Sequence, residues 1–131
     1  MKEKSRDFTA KIEGPSYCRE DERGLFVEVT NGGPWETVIT GRMEAESRLG
    51  DHYHRECRAL FFLIRGRAEV KTRFLMDDVW QTLPLNAMEK IMFRPFEVHT
   101  VHFLEESDFI LLKSYRYEDD NPDIFVEDAH A

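Results

Sequence analysis

From Ala68 to Phe74 the side chains alternate without a break, Ala68, Val70, Thr72 and Phe74 on one side and Glu69, Lys71 and Arg73 on the other. A period of two belongs to a strand with one face in a core and the other in water, and a helix cannot use it. This segment therefore predicts a half-buried antiparallel strand. Short runs bounded by turn residues continue the pattern along the chain. Residues 25–29 are β-rich and end at Thr30-Asn31-Gly32-Gly33-Pro34. Residues 35–46 follow as a strand with Thr37, Ile39, Gly41, Met43 and Ala45 on one face. Arg65-Gly66-Arg67 reads as a hairpin connection, residues 79–83 as a strand closed by Pro84, and residues 90–94 as another ended by Pro95. Residues 98–104 and 109–115 read as a last pair joined by Glu105-Glu106-Ser107-Asp108. No stretch of about ten residues has the spacing of an amphipathic helix. Short strands at intervals of about 8–12 residues with polar turns predict an all-β sandwich or jelly roll.

A chain of 131 residues is long enough for one core and too short for two. Residues 1–7 read as a charged, frayed start, with Phe8 and Ile12 anchoring a short strand. Residues 116–131 read as an acidic tail that docks through Ile124, Phe125 and Val126. With 18 Lys+Arg against 26 Asp+Glu, the net charge of −8 gives no general attraction to nucleic acid or an anionic membrane, but leaves room for a local basic pocket. A small ligand is the expectation. The N-terminus has no secretory apolar segment and the chain no run of about 18 apolar residues, so a soluble, cytoplasmic protein is expected. Cys18 and Cys57 lack Cys-x-x-Cys spacing, which argues against a disulfide framework or a thiolate zinc site. Cys57 lies near enough to the histidines described next to be a ligand, but reads as a reduced thiol.

The chemistry-bearing stretch is Gly50-Asp51-His52-Tyr53-His54-Arg55-Glu56-Cys57, followed by the apolar run Ala59-Leu60-Phe61-Phe62-Leu63-Ile64 and then Gly66. On an extended chain residues i and i+2 share a side, so His52 and His54 present two imidazoles to one space. That arrangement suits a divalent metal or a proton-transfer pair, and equally two polar residues at the wet end of a strand. Two neighbours cannot enclose an ion, so a further ligand must come from another segment. Pro95-Phe96-Glu97-Val98-His99-Thr100-Val101-His102-Phe103 supplies it. His99 and His102 face opposite ways on a strand; His99, in phase with Val101 and Phe103, is the favoured donor, and His102 points outward or packs against the other layer.

These two segments resemble the paired motifs of the cupin superfamily, a double-stranded β-helix jelly roll. The first carries His-x-His, a glutamate and a glycine, and the second Pro-x-Gly-x-x-His. The resemblance covers residues 50–66 and 95–99 and implies a metal (zinc, iron or nickel) on His52, His54 and His99. There are two departures. Ala59 stands at the glutamate position, and the second motif has Glu97 in place of glycine and is one residue short before His99. Three imidazoles and water, or Glu56 in substitution, would then hold the ion. Asp21-Glu22-Arg23-Gly24-Leu25-Phe26-Val27-Glu28 resembles a stretch of nucleotide-sugar epimerases acting on dTDP-4-keto-6-deoxy sugars, and this implies Arg23 and Phe26 as substrate contacts, the arginine on the diphosphate. Asn121-Pro122-Asp123, with the histidine stretch, is similar to the cupin domain of bifunctional capsular polysaccharide enzymes that reduce and epimerise UDP-4-keto-deoxy sugars.

The resemblance implies an epimerase of a 4-keto nucleotide sugar in cell-surface polysaccharide synthesis. His52 or His54 serves as base or holds the metal, and Tyr115 or Tyr117 returns the proton. A nucleotide-sugar 3,4-ketoisomerase, whose family has a stretch similar to Gly50–Arg55, is the neighbouring alternative and brings Arg55 toward the substrate. A cupin that binds a metal or small ligand without turnover is the alternative that Ala59 favours, and an iron dioxygenase is a further one. Small jelly rolls of this family also imply a homodimer, with the residues before Phe26 exchanging an edge strand.

Overall fold

The computed structural model of the chain describes residues 10–127. The expected fraying of residues 1–7, the anchoring by Phe8 and the last residues of the acidic tail lie outside the described residues. Among the described residues there are strands and no helix, hence no helix long and apolar enough to cross a membrane. In chain order the strands are β1 (Ile12–Glu13), β2 (Tyr17–Asp21), β3 (Gly24–Glu28), β4 (Thr37–Met43), β5 (Arg48–His52), β6 (Ala59–Arg65), β7 (Arg67–Phe74), β8 (Gln81–Asn86), β9 (Glu89–Phe93), β10 (Glu97–Phe103) and β11 (Ser107–Lys113). They form a five-stranded sheet in the order β1-β9-β6-β11-β4, a four-stranded sheet in the order β5-β10-β7-β8, and the separate hairpin β2-β3.

The two larger sheets meet through one core. Ala59, Phe61 and Leu63 of β6, Ile91 and Phe93 of β9, and Phe109 of β11 face Ala68 and Val70 of β7, Leu85 of β8, and Val101 and Phe103 of β10. Phe61 stacks on Phe109 at 5.1 Å, and Phe103 lies 6.1 Å from Phe61. Alternation works as read: Ala68, Val70 and Thr72 are buried while Lys71 is exposed, and His99, Val101 and Phe103 are buried while His102 reaches outward to Glu46 at 2.9 Å.

The topology corrects three expectations. Arg65-Gly66-Arg67 is not a hairpin, because β6 pairs with β9 and β11 while β7 pairs with β8 and β10. The chain changes sheets there: Gly66 has φ of 107°, and a Cβ on it would lie 2.7 Å from the Ser107 Cβ and 2.8 Å from the Glu106 carbonyl oxygen. Only glycine accepts that backbone at that approach. Likewise β10 and β11 are not partners; the connection between them also crosses the sandwich. Pro84 does not end a strand but lies inside β8, tolerated because β8 is an edge strand.

Phe103 is fully buried and Val38 is 68% exposed. Phe103→Ala is expected to lower unfolding stability by about 3–5 kcal/mol and Val38→Ala by less than about 0.5 kcal/mol, as read from urea denaturation midpoints. Equal effects would contradict the placement of the core.

Candidate functional site

At one end of the sandwich β5 runs antiparallel to β10, with His52 opposite His99 and a bulge between His99 and Thr100. Gly50 permits this approach. It has φ of 117°, and a Cβ there would collide with the His99 carbonyl oxygen and sit 2.9 Å from the Thr100 Cα. Beyond β5, Tyr53 pairs with Phe125 as an isolated bridge, which keeps the chain extended and returns His54 to the side of His52. The ring centroids of His52 and His54 are 5.1 Å apart, those of His52 and His99 4.7 Å, and those of His54 and His99 5.4 Å. The potential ligand atoms of the three side chains all lie within 4.8 Å of one another.

Two of the rings have their tautomer set by the backbone. His54 Nδ1 lies 2.8 Å from the Asp123 carbonyl oxygen, and His99 Nδ1 lies 3.1 Å from the Glu97 carbonyl oxygen. A carbonyl only accepts, so each Nδ1 carries the proton and each Nε2 keeps its lone pair. Phe93 stacks face to face on His99 at 4.1 Å and 5°, fixing the plane of that ring. Burial, followed by the neighbouring His52, pushes the His99 pKa down to about 3. Burial also lowers His52, with His54 and Lys113 adding to the shift, and lowers His54, with Lys113 adding to it. The cluster is thus neutral near pH 7, the state in which imidazole ligates a metal or accepts a proton.

The three rings open on a cavity of about 140 Å³ between the sheets, walled by Leu49, Phe61, Phe93, Val101 and Leu111 and closed on one side by Ile124 of the tail. Ala59 and Lys113 also line it, and they are direct cross-strand partners on β6 and β11. An ion held about 2.1 Å from each nitrogen in tetrahedral geometry needs the nitrogens about 3.4 Å apart. Drawing the widest pair in by up to about 1.4 Å is a side-chain adjustment, so three neutral imidazoles, two of them with anchored Nδ1 atoms, fit a divalent cation with nitrogen preference.

The structure brings His52, His54 and His99 together and places the other candidates elsewhere. Cys57 is fully buried beside the site with its Sγ on the Arg58 carbonyl, and burial raises its pKa, so it stays a thiol. Glu56 is exposed and not among the grouped ligands. The Tyr115 hydroxyl donates to the Asn121 carbonyl at 3.3 Å and does not line the cavity, and Tyr117 is half exposed. Arg55 lies over the Phe125 ring at 4.0 Å. Arg23 pairs with Asp21 at 2.7 Å on the β2-β3 hairpin, and Phe26 of the same hairpin is 52% exposed with Arg19 over its ring.

Two residues of the site have roles that a reading of motifs does not assign. Asp123, almost fully buried, accepts the backbone N–H groups of Arg55, Glu56 and Cys57 at 2.9, 3.0 and 2.9 Å, while its own carbonyl holds His54. Its only signal is an acid within the docking stretch of the tail. Lys113 had a plainer signal, since it is in phase with Phe109 and Leu111 on β11 and therefore points inward.

Fold and cavity together define a cupin-type jelly roll whose two sheets enclose three convergent histidines. Residues 19–125 match the profile of the polysaccharide biosynthesis C-terminal domain, and the chain belongs to that family. A search of curated protein sequences finds no match. Among solved structures, the capsular polysaccharide assembling protein CapF from Staphylococcus aureus is similar at 18% identity and a TM-score of 0.68, over 95% of this chain and 35% of that one. The sugar 3,4-ketoisomerase QdtA from Thermoanaerobacterium thermosaccharolyticum, in complex with TDP, is similar at 14% identity and a TM-score of 0.76, over 92% of this chain and 90% of that one. The dTDP-4-dehydrorhamnose 3,5-epimerase from Sulfolobus tokodaii is similar at 16% identity and a TM-score of 0.75, over 92% of this chain and 78% of that one. This chain spans about a third of CapF, and at these identities the likeness is one of fold.

Unfolded histidines take up a proton near pH 6.5, whereas the folded ones resist it, His99 down to about 3. The unfolded state therefore binds more protons in that window, and stability is complete above about pH 6.5 and falls as the pH drops toward 3, by up to about 1.4 kcal/mol per pH unit for one such group. In the presence of a chelator the urea midpoint should fall steadily between pH 7 and pH 4.5, and a constant midpoint would contradict the buried neutral cluster. Asp123→Ala leaves three backbone N–H groups, one buried and two part-buried, without their acceptor and should cost about 2–4 kcal/mol, measured by the same denaturation. A cost within experimental error would show that the tail does not hold the histidine loop.

Proposed function

We propose that this chain is an epimerase of a 4-keto nucleotide sugar, working on cell-surface polysaccharide precursors. The observation that carries the reading is the convergence of three neutral imidazoles in one apolar cavity, two of them, His54 and His99, with the Nε2 lone pair left free by a backbone bond at Nδ1. Epimerisation beside a ketone needs a base for the α-proton, stabilisation of the enolate and return of the proton to the other face. His52 is suited to be the base: it is only half-buried at the mouth of the cluster and neutral near pH 7. His54, clamped by Asp123, and His99, clamped by Glu97 and Phe93, hold the floor of the site still. His52, His54 and His99 would also hold a zinc, iron or nickel ion, which supplies Lewis-acid polarisation of a carbonyl when bound.

The apolar walls exclude water from the reacting carbon, and the nucleotide lies outside the cavity, which is too small for it. Arg23 and Phe26 lie on a hairpin separate from both sheets, with Leu25 and Tyr17 also exposed. In the proposed homodimer this hairpin is the exchanged edge, and it brings Arg23 toward a diphosphate. A mass of one chain in sedimentation analysis would overturn the dimer.

Incubation with dTDP- or UDP-linked 4-keto-6-deoxy sugars in D₂O is expected to place deuterium at the carbon next to the ketone, seen by proton NMR. His52→Ala should slow this exchange by about 100-fold or more. No exchange with any such sugar would overturn the enzyme reading and leave a binding module, and exchange that yields a 3-keto sugar would make the chain a 3,4-ketoisomerase.

A further inference from the structure

Lys113 is the least expected group in the cavity. It is 7% exposed, it lines the same space as the three histidines, and its charge depresses the protonation of all three. Among the described residues its ammonium makes no hydrogen bond or ion pair. Its cross-strand neighbours are Ala59 on β6 and Thr37 on β4, neither of which carries charge. Ala59 ends at its methyl group and brings no polar atom to the ammonium, whose charge acts on all three histidines and on the buried Cys57 thiol. The other walls are Leu, Ile, Phe, Val and Gly50.

A buried ammonium with no counter-charge is costly, and burial of such a group is normally matched by an anion. Asp123, buried beside His54, directs its carboxylate to the backbone N–H groups of residues 55–57 and forms no ion pair with Lys113 among the described residues. The histidines contribute no negative charge. A divalent ion on their nitrogens would leave the cavity more positive still.

We propose that the cavity is an anion site, in which Lys113 is the charge partner of a ligand oxygen of carboxylate or enolate type seated between the ammonium and the imidazoles. The anion is small or is the tip of a larger molecule, since the cavity offers only about 140 Å³. Low-polarity walls strengthen this pairing relative to water. The inference goes beyond the sugar reading and stands even if the chain turns over no sugar.

The test compares pyruvate with its neutral isostere pyruvamide as probes of the 131-residue chain, following the imidazole resonances of His52, His54 and His99 in ¹H–¹⁵N NMR titrations. Pyruvate is expected to bind at least about tenfold more tightly than pyruvamide, the range of one charge-assisted contact. Lys113→Met should reduce pyruvate affinity to that of pyruvamide and leave pyruvamide unchanged, whereas Lys113→Arg should retain most of the preference. Equal binding of the two probes by the wild-type chain overturns the proposal, and this comparison needs no variant to fold. So does an unaltered preference in Lys113→Met, or the absence of any imidazole shift with either compound. Deuterium exchange into a keto sugar is a separate measurement, so loss of the enzyme reading and loss of the anion site are told apart.

Discussion

The site depends on the register of β5 against β10. With His52 opposite His99, two imidazoles from segments about fifty residues apart face each other across a ladder, and that is possible only because Gly50 lets the strands approach at the bulge. Period two makes the dependence strict. A slip of one residue would turn His99 outward and put Thr100 in its place. The large core of phenylalanines behind the site guards that register, since the same slip would expose Val101 and Phe103. The geometry of the histidine cluster and core packing are therefore secured by one pairing.

A second constraint comes from the tail. Asp123 binds the turn after His54 through its carboxylate and His54 itself through its carbonyl. Phe125 stacks on Tyr53 and lies under Arg55, while Ile124 forms part of the cavity wall. A segment that reads as a polar appendage by composition is structural here. Its acids divide by role: Asp123 is buried and saturated with hydrogen bonds, whereas Glu118, Asp119 and Asp120 face solvent.

Much of this was legible from residue order. Alternation placed Ala68, Val70 and Thr72 inward and chose His99 over His102, because inward apolar neighbours on the same strand share its phase. Strand positions followed from turn residues. What alternation cannot show is which sheet a strand joins. Gly66 announces a sharp change of direction, yet a hairpin and a crossing between sheets use the same glycine, and the difference lies in partners such as Ile91 and Ser107, far away in sequence. Pro84 misled for a related reason, since its missing N–H matters only if a strand lies on that side. Asp123 stands in a stretch that resemblance singled out, but nothing local shows its role, because its donors are 66–68 residues earlier. Tyr115 belongs to an aromatic-rich stretch that suggested a proton donor, while its hydroxyl is turned to the Asn121 carbonyl.

The clasp between His54 and Asp123 spans 69 residues, which has a bearing on biosynthesis. While the ribosome is still making the intervening strands, the nascent chain holds His54 with nothing to select its tautomer and with one wall of the pocket absent. Sheet assembly can run ahead, but the pocket matures only when the Asp123 region emerges. Until then His54 lacks its clamp and the cavity one of its walls.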